Sequence, residues 1–131
     1  MKFLFDSDVL IAISGGNPRA GNALREARRE GVGVSVVSHA EVFEGAFGYP
    51  DTEMQLAFYR EFLDQFETLP LPGPIVELFA SVRSKLRRAG NLIPDMDLLI
   101  AATAMHHDVT LVTRNLRHFD RISGLRTYRP Y

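Results

Sequence analysis

Four polar residues, Asp6, Glu41, Asp97 and Asn115, have the types and positions to do chemistry together. Asp6 ends the apolar run FLF, and Glu41 lies shortly after GVGVSVV. Asp97 stands near the start of IPDMDLLIAATA, residues 93–104, and Asn115 comes just after DVTLVT. Three carboxylates held within a few ångströms repel, so at neutral pH some stay protonated unless a cation sits among them. A divalent ion is the natural cation, and oxygen donors with open water positions suit Mg²⁺ or Mn²⁺ better than zinc. Such an ion can activate water and neutralise charge on a phosphoryl group attacked in line.

The order of elements is what would bring these residues together. KFLF at residues 2–5, a segment over 33–37 at the end of GVGVSVV, and DVTLVT at 108–113 read as buried strands. ETLPL at 67–71 and LRTY at 125–128 read as short additional ones. Helical periodicity fills the intervals: DVLIAI after the first strand, then residues 19–30, 39–47, 52–66, 75–89 and roughly 97–107. Strands alternating with helices predict a single α/β domain with a mainly parallel sheet flanked by helices on both faces. Asp6, Glu41 and Asn115 then lie at the carboxyl ends of parallel strands, where open α/β sheets bind ligands. The helix from Asp97 runs antiparallel to the strand that follows, and its length of about 16 Å matches a strand of about five residues. That returns Asp97 to the same edge, so all four residues are predicted to converge.

The bulk properties limit the alternatives. A chain of 131 residues, 46% hydrophobic, supports one substantial core. The short FLF run runs straight into Asp6, so neither a secretory signal nor a membrane span is expected, and a cytoplasmic location is. The absence of cysteine removes disulfides, thiol nucleophiles and thiolate zinc sites. A net charge of −1 argues against coating nucleic acid by bulk electrostatics. The charge is nonetheless segregated, with seven acidic residues against Arg60 from Glu41 to Glu67, and nine Lys or Arg against four Asp from Arg83 onward. Thirteen of the fifteen basic residues are arginine, whose planar fork grips phosphate in a bidentate manner.

Each candidate also has a plainer reading. Asp6 can cap the helix after it. Ser38 and Glu41 spell a capping box, in which the glutamate bonds back to the cap backbone. Asp95, after Pro94, is best placed to cap the helix that carries Asp97, and Asn115 can cap a short helix, LRHF. Ser38 and Thr113 suit either turn chemistry or hydrogen bonds to a metal ligand or substrate phosphate, and Ser7 suits a supporting bond to the acids. Arg114 and Arg117 are the candidates for phosphate contact. His106 and His107 are adjacent and face different sides of their helix; His39 has no identifiable partner, and His118 reads as surface.

With these motifs in place, the chain resembles the PIN-domain nucleases, and within them the VapC-like toxins of type II toxin-antitoxin systems. The resemblance rests on FLFDSDVLIA at 3–12, SHAEVFEGA at 38–46, IPDMDLLIAATA at 93–104 and TLVTRNLRHFDRISGLR at 110–126. It implies a PIN-like fold over residues 1–131 and a Mg²⁺- or Mn²⁺-dependent endoribonuclease that leaves a 5′-phosphate and a 3′-hydroxyl. It also implies a cognate antitoxin that occludes the acidic pocket, and a homodimer. Asp6, Glu41 and Asp97 match the family acids, and Asn115 falls where the family carries Asp or Asn. Asp8 departs from the pattern, since close relatives usually have Asn there; an extra acid at that place could join the metal shell. The apolar residues of the acidic middle helices, Phe43, Phe47, Leu56, Phe58, Tyr59 and Phe62, offer surface for an antitoxin helix, although most of it is expected to be core.

Two other readings share features with this one. FLFDSDVL imitates a haloacid-dehalogenase-like phosphatase, with Asp6 as nucleophile and Asp8 as general acid or base. That mechanism wants a well-placed lysine, and the chain has only Lys2 and Lys85. A non-catalytic PIN-like binding module is the other, and the joint presence of Asp6, Glu41 and Asp97 counts against it.

Overall fold

The computed structural model describes residues 1–131. Its elements run β1 (Phe3–Phe5), α1 (Ser7–Ser14), α2 (Pro18–Ala27), β2 (Val32–Ser35), α3 (Val36–Ala46), α4 (Thr52–Asp64), β3 (Glu67–Leu69), α5 (Gly73–Arg88), α6 (Asp95–His106), β4 (Thr110–Val112), α7 (Leu116–Phe119) and β5 (Thr127–Tyr128). The five strands form one sheet in the order β3-β2-β1-β4-β5, and every pair is parallel. The chain builds outward from β1 through β2 to β3, then crosses back to add β4 and β5 on the other side. The carboxyl ends of β1 and β4 therefore flank a topological switch point, the place where such sheets open a crevice.

Strand periodicity divides the core in two. Leu4 and Leu111 point to one face of the sheet, where they meet Leu86, Leu98, Ile100 and Phe119 from α5, α6 and α7. Phe5, Val34 and Val112 point to the other, among Val9, Leu10, Leu24, Val42 and Leu63 from the first four helices. The sheet is thus covered on both faces, as a parallel sheet requires. Helix α6 is buried over almost its whole circumference, through Leu98, Ile100, Ala101, Ala102, Thr103 and Ala104, which fixes the position of the two acids at its start. No helix is long and apolar enough to cross a membrane.

Two backbone positions show why the chain turns where it does. Gly31 has φ +92° just before β2, and a Cβ there would stand 2.7 Å from the Met1 Cα, so only glycine fits. Asp108 takes φ +54° after α6, a conformation Asp tolerates, and Arg126 holds it by bonds to its side chain at 2.8 Å and its carbonyl at 2.7 Å.

The second strand ends earlier than the apolar pattern predicts. Ser35, not Ser38, caps α3: its hydroxyl accepts from the Val37 N–H, and the helix begins at Val36. Val36 and Val37 continue the β-branched run, but a cap hydrogen bond outweighs their strand preference. Ser38 lies inside the helix, the Ser38–Glu41 capping box does not form, and Glu41 sits in the second turn.

Candidate active site

At the carboxyl end of β1, Asp6 continues the sheet ladder, its N–H donating to the Val112 carbonyl at 2.9 Å. Its side chain then turns to cap α1, with Oδ1 accepting from the Ser7 N–H at 2.8 Å and Oδ2 from the Thr113 hydroxyl at 2.8 Å. The carboxylate is only 3% exposed. Thr113 in turn accepts from the Asn115 N–H at 3.0 Å, so the turn after β4 is tied to the acid at the end of β1. One residue on from the cap, the Ser7 hydroxyl donates to Glu41 Oε1 at 2.9 Å, which links α1 to α3. Asp8 is held entirely by main chain: Val9 N–H donates to Oδ1 at 2.7 Å and Arg114 N–H to Oδ2 at 2.9 Å. Asp97 Oδ2 stands 2.6 Å from His118 Nδ1, and the Asn115 amide lies 2.9 Å from the same ring nitrogen.

These contacts create an acidic pocket that resists full ionisation. Burial pushes Asp6 up to about 7; the Asp8 and Asp97 carboxylates add to the rise, while the bonds from Thr113 and Ser7 oppose it. Burial also raises Asp8, against which the Arg114 and Val9 N–H bonds and the Arg114 charge work. Glu41 is raised by burial first, with Asp97, Asp8 and Glu44 repelling it and the Ser7 bond opposing. Asp6, Asp8, Glu41 and Asp97 therefore feel one another across the pocket, which is the condition for a cation to bind. No three His, Asp or Glu side chains stand already arranged around a single point to hold an ion. The donor set still fits a hard divalent ion, because each carboxylate oxygen offers two lone pairs and a single hydrogen bond occupies one. The side chains that hold these acids, Ser7, Thr113 and His118, are of the kind that orient metal ligands from behind.

The predicted residues fall into two groups. Asp6, Glu41, Asp97, Asn115, Asp8 and Thr113 are brought together at one edge of the sheet. Asp95 is not among them, and it does not cap α6 through its side chain: Pro94 is the cap residue and provides no side-chain bond. Asp95 is instead the first residue of the helix, pointing outward to Arg83 Nε at 2.7 Å, where it still gains from the helix dipole. Asn115 does occupy the cap position of α7, but its amide goes to His118 and makes no cap bond. Ser38 is fully buried on α3, one turn before Glu41, and its hydroxyl has no hydrogen-bond partner. Arg114 and Arg117 are both exposed, and only Arg114 bonds to the acidic group.

Two histidines depart from the sequence reading. His39 has a partner, the Thr68 hydroxyl at 3.1 Å from Nε2, and burial lowers its pKa. His118 is half-buried, its ring meeting Asp97; the Asn115–His118 spacing points to its tie to Asn115 but not to Asp97. Of the predicted apolar surface, Leu56 and Tyr59 belong to the core because α4 turns them toward the sheet. Phe47 and Phe58 are exposed, and Tyr49 and Met54 extend the patch. A surface groove of about 570 Å³ lies between α2 and the β4–β5 edge and contains none of the four acids.

Comparison with known proteins adds an independent line. A family model for the PIN domain matches residues 3–125. Ribonuclease VapC10 of Mycobacterium tuberculosis is 37% identical over 127 residues, covering 94% of this chain and 90% of that protein. The tRNA(fMet)-specific endonuclease VapC of Shigella flexneri is 26% identical over 127 residues, 97% of this chain and 96% of that one. Among solved structures, VapBC2 from Rickettsia felis, bound to a DNA fragment from their promoter, superposes with a TM-score of 0.89 at 25% identity, covering 98% of both chains.

Proposed function

Since this chain belongs to the PIN domain family, we propose that it is an endoribonuclease and the toxin of a toxin-antitoxin pair, dependent on Mg²⁺ or Mn²⁺. The observation that carries the catalytic reading is the acidic pocket at the switch point of the sheet, where burial and the neighbouring carboxylates, Asp97 among them, hold Asp6, Asp8 and Glu41 above their ordinary range. Asp6, Glu41 and Asp97 would hold the ion, with Asn115 and Asp8 beside them. A divalent ion bound there would supply activated water and offset the charge of a phosphodiester under attack.

The chain's own residues do the rest. Thr113 and Ser7 fix the two oxygens of Asp6, so the carboxylate cannot rotate away as charge develops. Ser7 also fixes Glu41 through its hydroxyl, which couples the orientation of two acids through one residue, main chain to Asp6 and side chain to Glu41. His118 locks Asp97 against α7. Arg114 brings a cation to the rim of the pocket, suited to a substrate phosphate. The family match over residues 3–125 and the main-chain bonds on both Asp8 oxygens weigh against the phosphatase reading, in which Asp8 would have to exchange a proton freely.

The named relatives, a ribonuclease and an endonuclease, support RNA as the substrate; an antitoxin partner and a homodimer complete the reading. Phe47, Tyr49, Met54 and Phe58, exposed on the α3–α4 hairpin, provide an apolar face for the antitoxin. Expression of the chain alone is expected to arrest growth, and Asp6→Asn to relieve it. Persistent arrest by a folded Asp6→Asn protein would mean that toxicity does not pass through this pocket.

A further inference from the structure

At the rim of the acidic pocket, two guanidinium groups converge on one aromatic ring. Arg114 lies 4.4 Å from the centroid of the Tyr131 ring and Arg19 lies 5.5 Å from it. Neither arginine belongs to an ion pair; the four that exist join Lys2 to Glu30, Arg83 to Asp95, His118 to Asp97 and Arg126 to Asp108. Both are exposed, while Tyr131 is half-buried. Each is anchored by its main chain. The Arg114 N–H donates to Asp8 at 2.9 Å, and the Arg19 N–H donates to the Asn17 side chain that caps α2, also at 2.9 Å. Arg129 Nε holds the Tyr131 carbonyl at 3.1 Å, which fixes the ring's backbone and adds a third cation nearby.

Like charges drawn together repel, although Asp8 attracts Arg114 from the pocket side. The ring quadrupole offsets part of that repulsion, and an anion between the two forks removes the rest, because guanidinium binds phosphate through two parallel hydrogen bonds. The turn that carries Arg114 also carries Thr113 and Asn115, so an anion held here sits directly beside the pocket.

We propose that Arg19, Tyr131 and Arg114 form a phosphate grip for single-stranded RNA at the rim of the acidic pocket, with Tyr131 as the positioning residue for Arg114. The inference deepens the ribonuclease reading and rests on it for the identity of the substrate. The ring face is what matters, since the Tyr131 hydroxyl makes no hydrogen bond, and phenylalanine therefore serves as well as tyrosine.

The test is RNA binding by the full chain, measured by fluorescence anisotropy of a labelled single-stranded RNA oligonucleotide in EDTA over a salt series. Arg114→Ala and Arg19→Ala are each expected to weaken binding and to lower the slope of log K against log salt by about 0.7, one phosphate contact. Tyr131→Leu should weaken binding about two- to fivefold and Tyr131→Phe should leave it unchanged. In an Arg114→Ala background, Tyr131→Leu should cost less than it does in the wild type, leaving only the effect through Arg19. With Mn²⁺ present, Tyr131→Leu is expected to raise KM and spare kcat. Thermal melts accompany each variant, and the Arg19→Ala and Tyr131→Phe pair decides the matter if Tyr131→Leu does not fold. Wild-type affinity and slope in the Arg19 and Tyr131→Leu variants, additive losses in the double variant, or no RNA binding by the wild type would each overturn the grip. A wild-type chain that shows the grip yet cuts no RNA with Mn²⁺ would instead overturn the nuclease reading alone.

Discussion

Asp6 carries two hydrogen bonds that favour its charged form and still titrates at about 7, because burial and two neighbouring carboxylates outweigh them. The sign of the consequence follows from proton counts. Between about 4, where the unfolded side chain titrates, and about 7, the folded chain binds the proton and the unfolded chain has released it. In that window the contribution of Asp6 to stability falls as pH rises, by at most about 1.4 kcal/mol per pH unit. Metal-free protein is thus expected to gain melting temperature on acidification from neutrality into that window, and Asp6→Asn to flatten the dependence. A divalent ion must displace the proton, so calorimetric titration with Mn²⁺ at pH 6 should show an enthalpy that varies with the buffer's ionisation heat. Identical pH profiles for the wild type and Asp6→Asn would remove Asp6 as the origin. At this scale the sequence exposes the acids well, since Asp6 and Asp97 sit at element boundaries and Glu41 follows closely on the second strand. It hides His118, because a histidine in a four-residue helix gives no hint of the element packed against it until α6 is in place.

Helix α3 shows what a cap does to a site. Its first turn is set by Ser35, fully buried, whose hydroxyl takes the Val37 N–H at 3.1 Å. Removing that bond leaves a buried N–H unsatisfied and loosens the helix that presents Glu41 to Ser7. Ser35→Ala is expected to cost about 1–2 kcal/mol of stability, read by urea titration, and to reduce cleavage without abolishing it. Unchanged stability would show that another group caps α3. The helices over 52–66 and 75–89 were legible from periodicity because each has a single apolar face. The start of α3 was not, because VV reads as strand until the serine before it is seen to turn the chain. The sheet's parallel sense followed from alternation of strands and helices, whereas its order required the crossover from β3 to β4, which no local pattern reveals. β5, two residues long at the open edge, carries too little pattern to delimit.

Over the whole molecule, two independent ties hold the pocket together: Asp6 to Thr113 across β1 and β4, and Ser7 to Glu41 across α1 and α3. Residues 107 positions apart thus meet by hydrogen bond at 2.8 Å, and the acids cannot assemble unless the sheet is complete. The exposed rings of the α3–α4 hairpin, Phe47, Tyr49 and Phe58, lie just past α3, in the turn after it and on α4, so a partner seated there would press on the end of the helix that carries Glu41. The convergence of Asp6, Glu41, Asp97 and Asn115 could be argued from topology, because parallel strands place their carboxyl ends on one edge. Tyr131 could not, since only the folded chain carries it back to Arg114. The most direct test of the central claim compares the intact chain with Asp97→Asn on total cellular RNA, with Mn²⁺ and with EDTA. The wild type is expected to cleave with Mn²⁺ and to stop in EDTA, and Asp97→Asn to lose more than about 100-fold in rate; equal cleavage by both proteins, or cleavage that EDTA leaves untouched, would contradict the account.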